Sequence, residues 1–291
     1  MRMTMITPCF NAAARLPATI GSVLEQAAVR SGKIELEYWI CDGGSKDGSA
    51  ELARALGHPA IQVLSEPDRG MYHALGRGFS RATGDVIGYI NAGDRLLPGA
   101  LDAVCDLFAD SRIKWLTGTQ TLMNGAGQVV WVREPFRFRR RLIRTGLYGR
   151  RLPFIQQEST FWRREMLSLV DFEQLSQYKL AGDYFLWSRF ASACEPVCAT
   201  AQLGAFTVHP GQLSEDRKGY FAEVARFRLR PGPLALFLSL MDLPLWFSPR
   251  NLRRLFNPGL RVYDHGLGGW VHGWSWAQKG PVREAAEGGA R

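Results

Sequence analysis

The chain has 291 residues, 46% hydrophobic and 22% charged, which predicts a sizeable buried core and argues against disorder. With 36 Lys and Arg against 27 Asp and Glu it carries a formal charge of +9, which favours anionic partners: nucleotide phosphates, nucleic acid or an acidic membrane surface. The five cysteines, Cys9, Cys41, Cys105, Cys194 and Cys198, contain no C-x-x-C pair, which argues against a disulfide framework or a zinc site.

The N-terminus runs straight into a strand-like stretch without the apolar core of a secretory signal, so the cytosolic side is the expected location. Four apolar runs read as strands: Met3–Ile6, Leu36–Cys41, Ile61–Leu64 and Val86–Ile90. Each leads through a loop of Gly, Pro, Asn or Asp into a helical pattern, over Leu16–Val29, Ser49–Leu56, Met71–Arg81 and Pro98–Phe108. This alternation predicts an α/β fold with a mostly parallel sheet, whose ligands bind beyond the carboxyl ends of the strands. Lys114–Met123 and Gln128–Val132 flank Asn124-Gly125-Ala126-Gly127, a hairpin signal. An arginine-dense stretch from Arg133 to Arg151 follows, then a strand-to-helix pattern at 157–164, a helix opening at Asp183 and a strand over Gly204–His209. Tyr220–Arg230 reads as a basic helix. Pro233–Phe247 is strongly apolar but shorter than the ~20 residues that span a bilayer. From Ala277 the tail is polar and rich in Gly and Ala, and is expected to be disordered.

Four acidic loops fall where such a sheet would hold its ligand. Asp42 ends the second strand within Cys41-Asp42-Gly43-Gly44-Ser45-Lys46-Asp47-Gly48. A carboxylate there is able to accept an N–H from a base, or merely to brace a turn; Asp47 and Ser49 fit helix caps better. Asp68-Arg69-Gly70 opens a helix, a natural place for phosphate. Asn91 and Asp94 offer two oxygen donors suited to a hard divalent cation, or a turn that caps the next helix. Asp183 opens a helix either as a general base or as a cap. None of the four decides the matter singly.

Together, in this order and spacing, the motifs resemble glycosyltransferase family 2 over residues 3–216. They are Thr7-Pro8-Cys9-Phe10-Asn11, the Asp42 loop, Glu66-Pro67-Asp68-Arg69-Gly70-Met71-Tyr72, Ala82-Thr83-Gly84-Asp85 and Asn91-Ala92-Gly93-Asp94. Further on come Gln157-Glu158-Ser159-Thr160, Ala181-Gly182-Asp183-Tyr184 and His209-Pro210-Gly211-Gln212. The nearest likeness is to bacterial members that build surface polysaccharides, including colanic-acid-type enzymes. The resemblance implies a single nucleotide-diphospho-sugar transferase domain of GT-A type over 1–216, with a nucleotide-sugar half over 1–97 and an acceptor half over 98–216. A basic, apolar helical extension would fill 217–276 and a disordered tail 277–291. It implies an inverting transfer from a nucleotide-diphosphate sugar to a hydroxyl, the acceptor being a saccharide or lipid-linked saccharide, in exopolysaccharide or surface-polysaccharide synthesis. Thr7, Pro8, Asn11, Asp42, Asp68, Arg69, Gly70 and Asn91 would bind the donor, and Gln157 and Glu158 the acceptor. Asp94 and His209 would hold Mg2+ or Mn2+, and Asp183 would be the base. Asn91 and Gly93 stand where the family's metal motif carries carboxylates.

A sugar-phosphate nucleotidyltransferase shares the sheet logic, but Thr7–Ala14 has no glycine to grip a triphosphate. A non-catalytic sugar- or lipid-binding relative is the other rival. The arginine belt interleaves with Phe136, Phe138, Leu142 and Ile143 and reads as a membrane-surface patch, a core contact or a solvated loop. Nothing in it resembles a nucleic-acid module. The apolar run Pro233–Phe247, followed by Arg250, Arg253 and Arg254, favours peripheral association with the inner face of the cell membrane.

Overall fold

A computed structural model describes residues 1–257 and 259–273; the tail expected to be disordered lies outside the described residues. The elements in the first half are β1 (Arg2–Cys9), α1 (Leu16–Leu24), α2 (Ala27–Arg30), β2 (Glu35–Asp42), α3 (Ser49–Ala55), β3 (Ile61–Ser65), α4 (Met71–Arg81), β4 (Val86–Tyr89), β5 (Arg95–Leu96), α5 (Ala100–Phe108), β6 (Trp115–Thr117), β7 (Gln120–Met123) and β8 (Val129–Arg133). Then follow α6 (Arg140–Arg144), β9 (Thr160–Arg163), α7 (Phe172–Leu175), α8 (Gly182–Ala193), β10 (Val197–Cys198), β11 (Gly204–Thr207), α9 (Arg217–Phe227), α10 (Pro233–Phe247), α11 (Arg250–Leu255), β12 (Arg261–Asp264) and β13 (Gly269–His272).

Seven strands form the central sheet in the order β10-β6-β9-β4-β1-β2-β3. All run parallel except β9, which is antiparallel to both β4 and β6. Alternation along β1 sorts the core into two layers. Met3 and Met5 pack with α1 and α5 on one face; Ile6 packs with α4, α8 and the tryptophans on the other. Trp115 stacks on Trp187 at 5.6 Å, and Trp162 meets Trp187 edge-on at 5.7 Å. A second sheet, β5-β11-β7-β8, lies beyond the carboxyl ends of the parallel strands in the chain's path.

Three expectations change. The helix over Leu16–Val29 divides at Gln26, whose backbone is extended (ψ 133°) because its side chain is bonded to Ser22, Leu97 and Leu101. The run Lys114–Met123 is two strands in two sheets: it breaks at Gly118 and Thr119, whose amides bond Ser159 and Ala201. The arginine belt is in part a core contact, with Arg140, Arg141, Arg150 and Arg151 exposed. Phe136, Phe138, Leu142 and Ile143 are buried, and Arg137 and Arg139 pair with Glu195 and Asp242.

The C-terminal segment packs on the rest. Glu223 of α9 accepts the amides of Lys179, Leu180 and Ala181, which fixes the entry to α8. Arg139 donates twice to the fully buried Asp242 of α10, at 2.6 and 2.9 Å. Removing one partner of such a pair strands a buried charge, at about 3–5 kcal/mol.

Candidate active site

Adjacent parallel strands deliver their loops to one edge. Cys9 of β1 sits beside Asp42 of β2, and β4 flanks β1 on its other side. The loops after β2 and β4 are therefore two strand spacings apart, roughly 10 Å. Asp42 is fully buried. Its carboxylate accepts the amides of Gly44 and Ser45, both at 3.1 Å, and the hydroxyls of Ser45 and, at 2.7 Å, Ser65. Burial pushes this carboxyl up, but those donors outweigh it and hold it below its usual range. Asn11 has a left-handed backbone (φ 47°). Its side chain accepts the Lys46 amide at 3.0 Å, and its own amide donates to Ser45 Oγ at 2.8 Å. Asp68 lies against Gly43, where a Cβ would come 2.6 Å from its Oδ2, and accepts the Gly70 amide at 2.7 Å.

The second cluster is knitted by buried acids. Asp94 accepts the Thr207 amide at 2.8 Å and faces Glu158. Burial pushes Asp94 up to about 7, against the favourable Thr207, Glu158, Asn91 and Arg15. Glu158 is pushed well above the carboxylate range, by burial first and then by Asp94. For each acid of the pair burial thus raises the cost of ionising, for Glu158 more than for Asp94. Gln157 bonds the Tyr89 carbonyl and Asn91 Nδ2, leaving Asn91 Oδ1 buried without a partner. Asp183, half-buried in the first turn of α8, accepts the Tyr184 amide at 2.7 Å and the Tyr220 hydroxyl at 3.1 Å. Burial, aided by the charge of Glu158, pushes its carboxyl up to about 7. Gly182 has no side chain because the Tyr72 ring lies on it: a Cβ would come 2.4 Å from that ring.

A sequence model described as Glycosyl transferase family 2 matches residues 4–169. The chain belongs to glycosyltransferase family 2. An uncharacterized glycosyltransferase of Mycobacterium tuberculosis is 26% identical over 229 residues, 77% of this chain and 82% of its own. The chondroitin synthase of Pasteurella multocida is 26% identical over 131 residues, 44% of this chain and 13% of that one. The chain spans about a third or less of the first curated relatives' length. Two solved structures share the GT-A-like fold. S. aureus TarS in complex with UDP-GlcNAc gives a TM-score of 0.58 at 13% identity, covering 87% of this chain and 70% of that one. A mannosyltransferase of Pyrobaculum calidifontis with GDP-Man and Mn2+ gives 0.57 at 21%, covering 83% and 69%.

Several residues of this family member sit differently from expectation. Thr7 and Pro8 are buried within β1, and the Thr7 hydroxyl meets Tyr38 OH at 2.9 Å. Asp42 spends its oxygens on its own loop. Arg69 turns to Glu173 and Ser176, both at 3.0 Å. Gln157 and Glu158 are buried beneath Asn91 and Asp94 and present no acceptor surface. His209 is bonded to Arg15 through Nε2 at 3.2 Å and to the Pro210 carbonyl through Nδ1 at 3.0 Å. With the proton on Nδ1, Nε2 accepts from Arg15, so a metal at His209 would have to displace that guanidinium.

Among the described residues no group of three or more His, Cys, Asp or Glu side chains converges as a metal cage. The unpartnered Asn91 Oδ1 beside Asp94 does fit a cation that takes most of its ligands from phosphate and water. Sequence reasoning missed Arg15. It is exposed, its side chain lies over Gly93 (φ 116°), 3.4 Å from where a Cβ would be, and its guanidinium bonds His209 at 3.2 Å. Its only signal was that it is the first cation after Asn11. Phe10, 64% exposed at the end of β1, was missed too.

Proposed function

We propose that this transferase moves a sugar, with inversion, from a nucleoside diphosphate donor to the hydroxyl of a saccharide acceptor, with Asp183 as the base. The observation that supports this most is Asp183 itself: a carboxylate with two donors, raised to about 7, in the range where a general base works best at neutral pH. The acceptor hydroxyl attacks the anomeric carbon and gives its proton to Asp183. As the new C–O bond forms, the bond from that carbon to the phosphate oxygen breaks, and the nucleoside diphosphate leaves with the electron pair. Arg15 places a fixed positive charge where the leaving diphosphate gathers negative charge, which lowers the barrier electrostatically. Phe10 and Asn11 line the base side, with the Asp42 brace shaping their loop.

In this reading Asn91 Oδ1 and Asp94 would hold Mg2+ or Mn2+, which would supply neutralisation of phosphate charge. The acceptor saccharide is lipid-linked and the product a surface polysaccharide or exopolysaccharide. Support for the lipid carrier comes from the open apolar face of α10 and the Trp/Phe/Arg surface beside it.

Purified full-length chain, offered UDP-, GDP- and dTDP-sugars with Mn2+ or with EDTA, should show a thermal shift with one nucleotide class and release its diphosphate. Arg15→Ala should lower kcat/KM for that donor on the order of 10². No shift and no release with any of the donors would defeat the proposal.

A further inference from the structure

α10 is inside out. A surface helix of a water-soluble protein buries its apolar stripe and turns polar residues outward. Here the inward residues are Ala235, Ser239, Asp242 and Trp246, all 2% exposed or less. The outward ones are Leu234 (51%), Phe237 (58%), Leu240 (61%), Met241 (53%) and Phe247 (64%), spaced to share one face. The orientation is pinned. Arg139 grips Asp242 twice, and Trp246 packs against Phe136 and Phe138 at 6.2 and 5.0 Å. The apolar face extends onto β8. The Arg133 guanidinium lies 4.7 Å from the Trp131 ring and 5.1 Å from the Phe247 ring, and Val130 beside it is 57% exposed. A contiguous patch of this kind marks a docking surface.

We propose that this face seats the enzyme on an anionic lipid bilayer, with α10 lying in the plane of the interface. The charges around it are complementary to such a surface. Exposed Arg230 precedes the helix; Arg250 and Arg253 follow it and share the single acid Glu134. Asp242, the helix's own acid, points inward. An apolar face rimmed by Arg is the signature of interfacial helices, and the anionic leaflet attracts the rim. At about 1.5 Å per residue the helix is too short to cross, and among the described residues none is long and apolar enough to do so. A two-fold copy of the chain fits less well, because antiparallel pairing would set the Arg230 end of one helix against the Arg250 and Arg253 end of the other.

The inference goes beyond the transfer reaction and is separable from it. Full-length protein is sedimented with phosphatidylglycerol-containing vesicles and with pure phosphatidylcholine vesicles, at low salt and in 0.5 M NaCl. Expected are binding to the anionic vesicles, weakening at least several-fold in high salt, and at least a 10-fold loss in the exposed double variant Phe237→Glu/Leu240→Glu. That variant should keep its fold by circular dichroism and wild-type turnover on a soluble acceptor. Folded wild-type protein that stays off anionic vesicles at low salt would overturn the proposal. So would undiminished binding by the double variant, or a concentration-dependent dimer that the same substitutions abolish.

Discussion

Asp42 and Asp183 are both aspartates at the edge of an element, both held in tight turns, and the surrounding structure drives their proton affinities in opposite directions. Asp42 collects four donors from its own loop and Ser65 and is held below its usual range. Asp183 has two donors, the Tyr184 amide and the Tyr220 hydroxyl, and burial raises it to about 7. A carboxylate surrounded by donors is a brace; one short of them can still take a proton. Donors outweigh burial at Asp42, and burial outweighs donors at Asp183.

The largest test of this contrast is Asp183→Asn. The amide keeps the shape but cannot accept the hydroxyl proton, so kcat should fall about 10²–10⁴-fold with the thermal midpoint unchanged or raised. Full turnover in the purified variant would remove Asp183 from the base role. Next comes Gly182→Ala. The new methyl would overlap the Tyr72 ring, whose hydroxyl is tied to the Leu180 carbonyl, so the start of α8 must shift. Displacing a base by about 1 Å costs on the order of 10² in rate; measured kcat should drop that far while donor KM stays close to wild type.

Asp42→Asn should show the reverse signature. The loop's hydroxyls and amides lose a charged acceptor, and unmet buried donors cost about 1–3 kcal/mol, so denaturant midpoints should fall more than the rate does. The two residues also have opposite pH linkage. The Asp42 contribution is present above its unfolded value near 3.8 and is lost as pH falls below it. The Asp183 contribution is present below 3.8 and is lost as pH rises through about 7. Stability curves of Asp42→Asn should flatten on the acid side, and those of Asp183→Asn between about pH 4 and 7. Parallel curves for both variants would undo the contrast.

What the sequence disclosed followed the range of the interactions. β1 to β4 and the helices α3 and α4 were readable because apolar runs bounded by Gly, Asp or Pro decide them locally. The exit of the chain at Gly118, from one sheet to the other, was not, since it depends on Ser159 and Ala201, far along the chain. The arginine belt left three readings open for the same reason. Alternating Arg and Phe looks like a surface until Glu195 and Asp242 arrive to pair with Arg137 and Arg139. Motifs pointed to residues at the strand ends but not to the directions of their side chains. Asp42, Gln157 and Glu158 all lie at the site, yet each turns inward, and only the pattern of donors shows it. The boundary expected at 216 also cuts the site, because Tyr220 of α9 holds Asp183.

That tyrosine gives the finest test. Its hydroxyl donates to Asp183 Oδ1 at 3.1 Å, a bond that favours the charged form and so opposes the burial that raises the pKa. Tyr220→Phe keeps the ring, including its edge-on contact with Phe154 at 5.6 Å, and removes that one donor. The pKa of Asp183 should then climb further. Because the base must be ionised to act, the acid limb of the kcat profile should move to higher pH by on the order of one unit, a neutral hydrogen bond being worth about 1 kcal/mol. The plateau at high pH should hardly change, since the base is fully ionised there whether or not Tyr220 donates to it. A lowered plateau with an unmoved limb would mean that Tyr220 acts on the acceptor rather than on Asp183, and that the low donor count around Asp183 is not what sets its basicity.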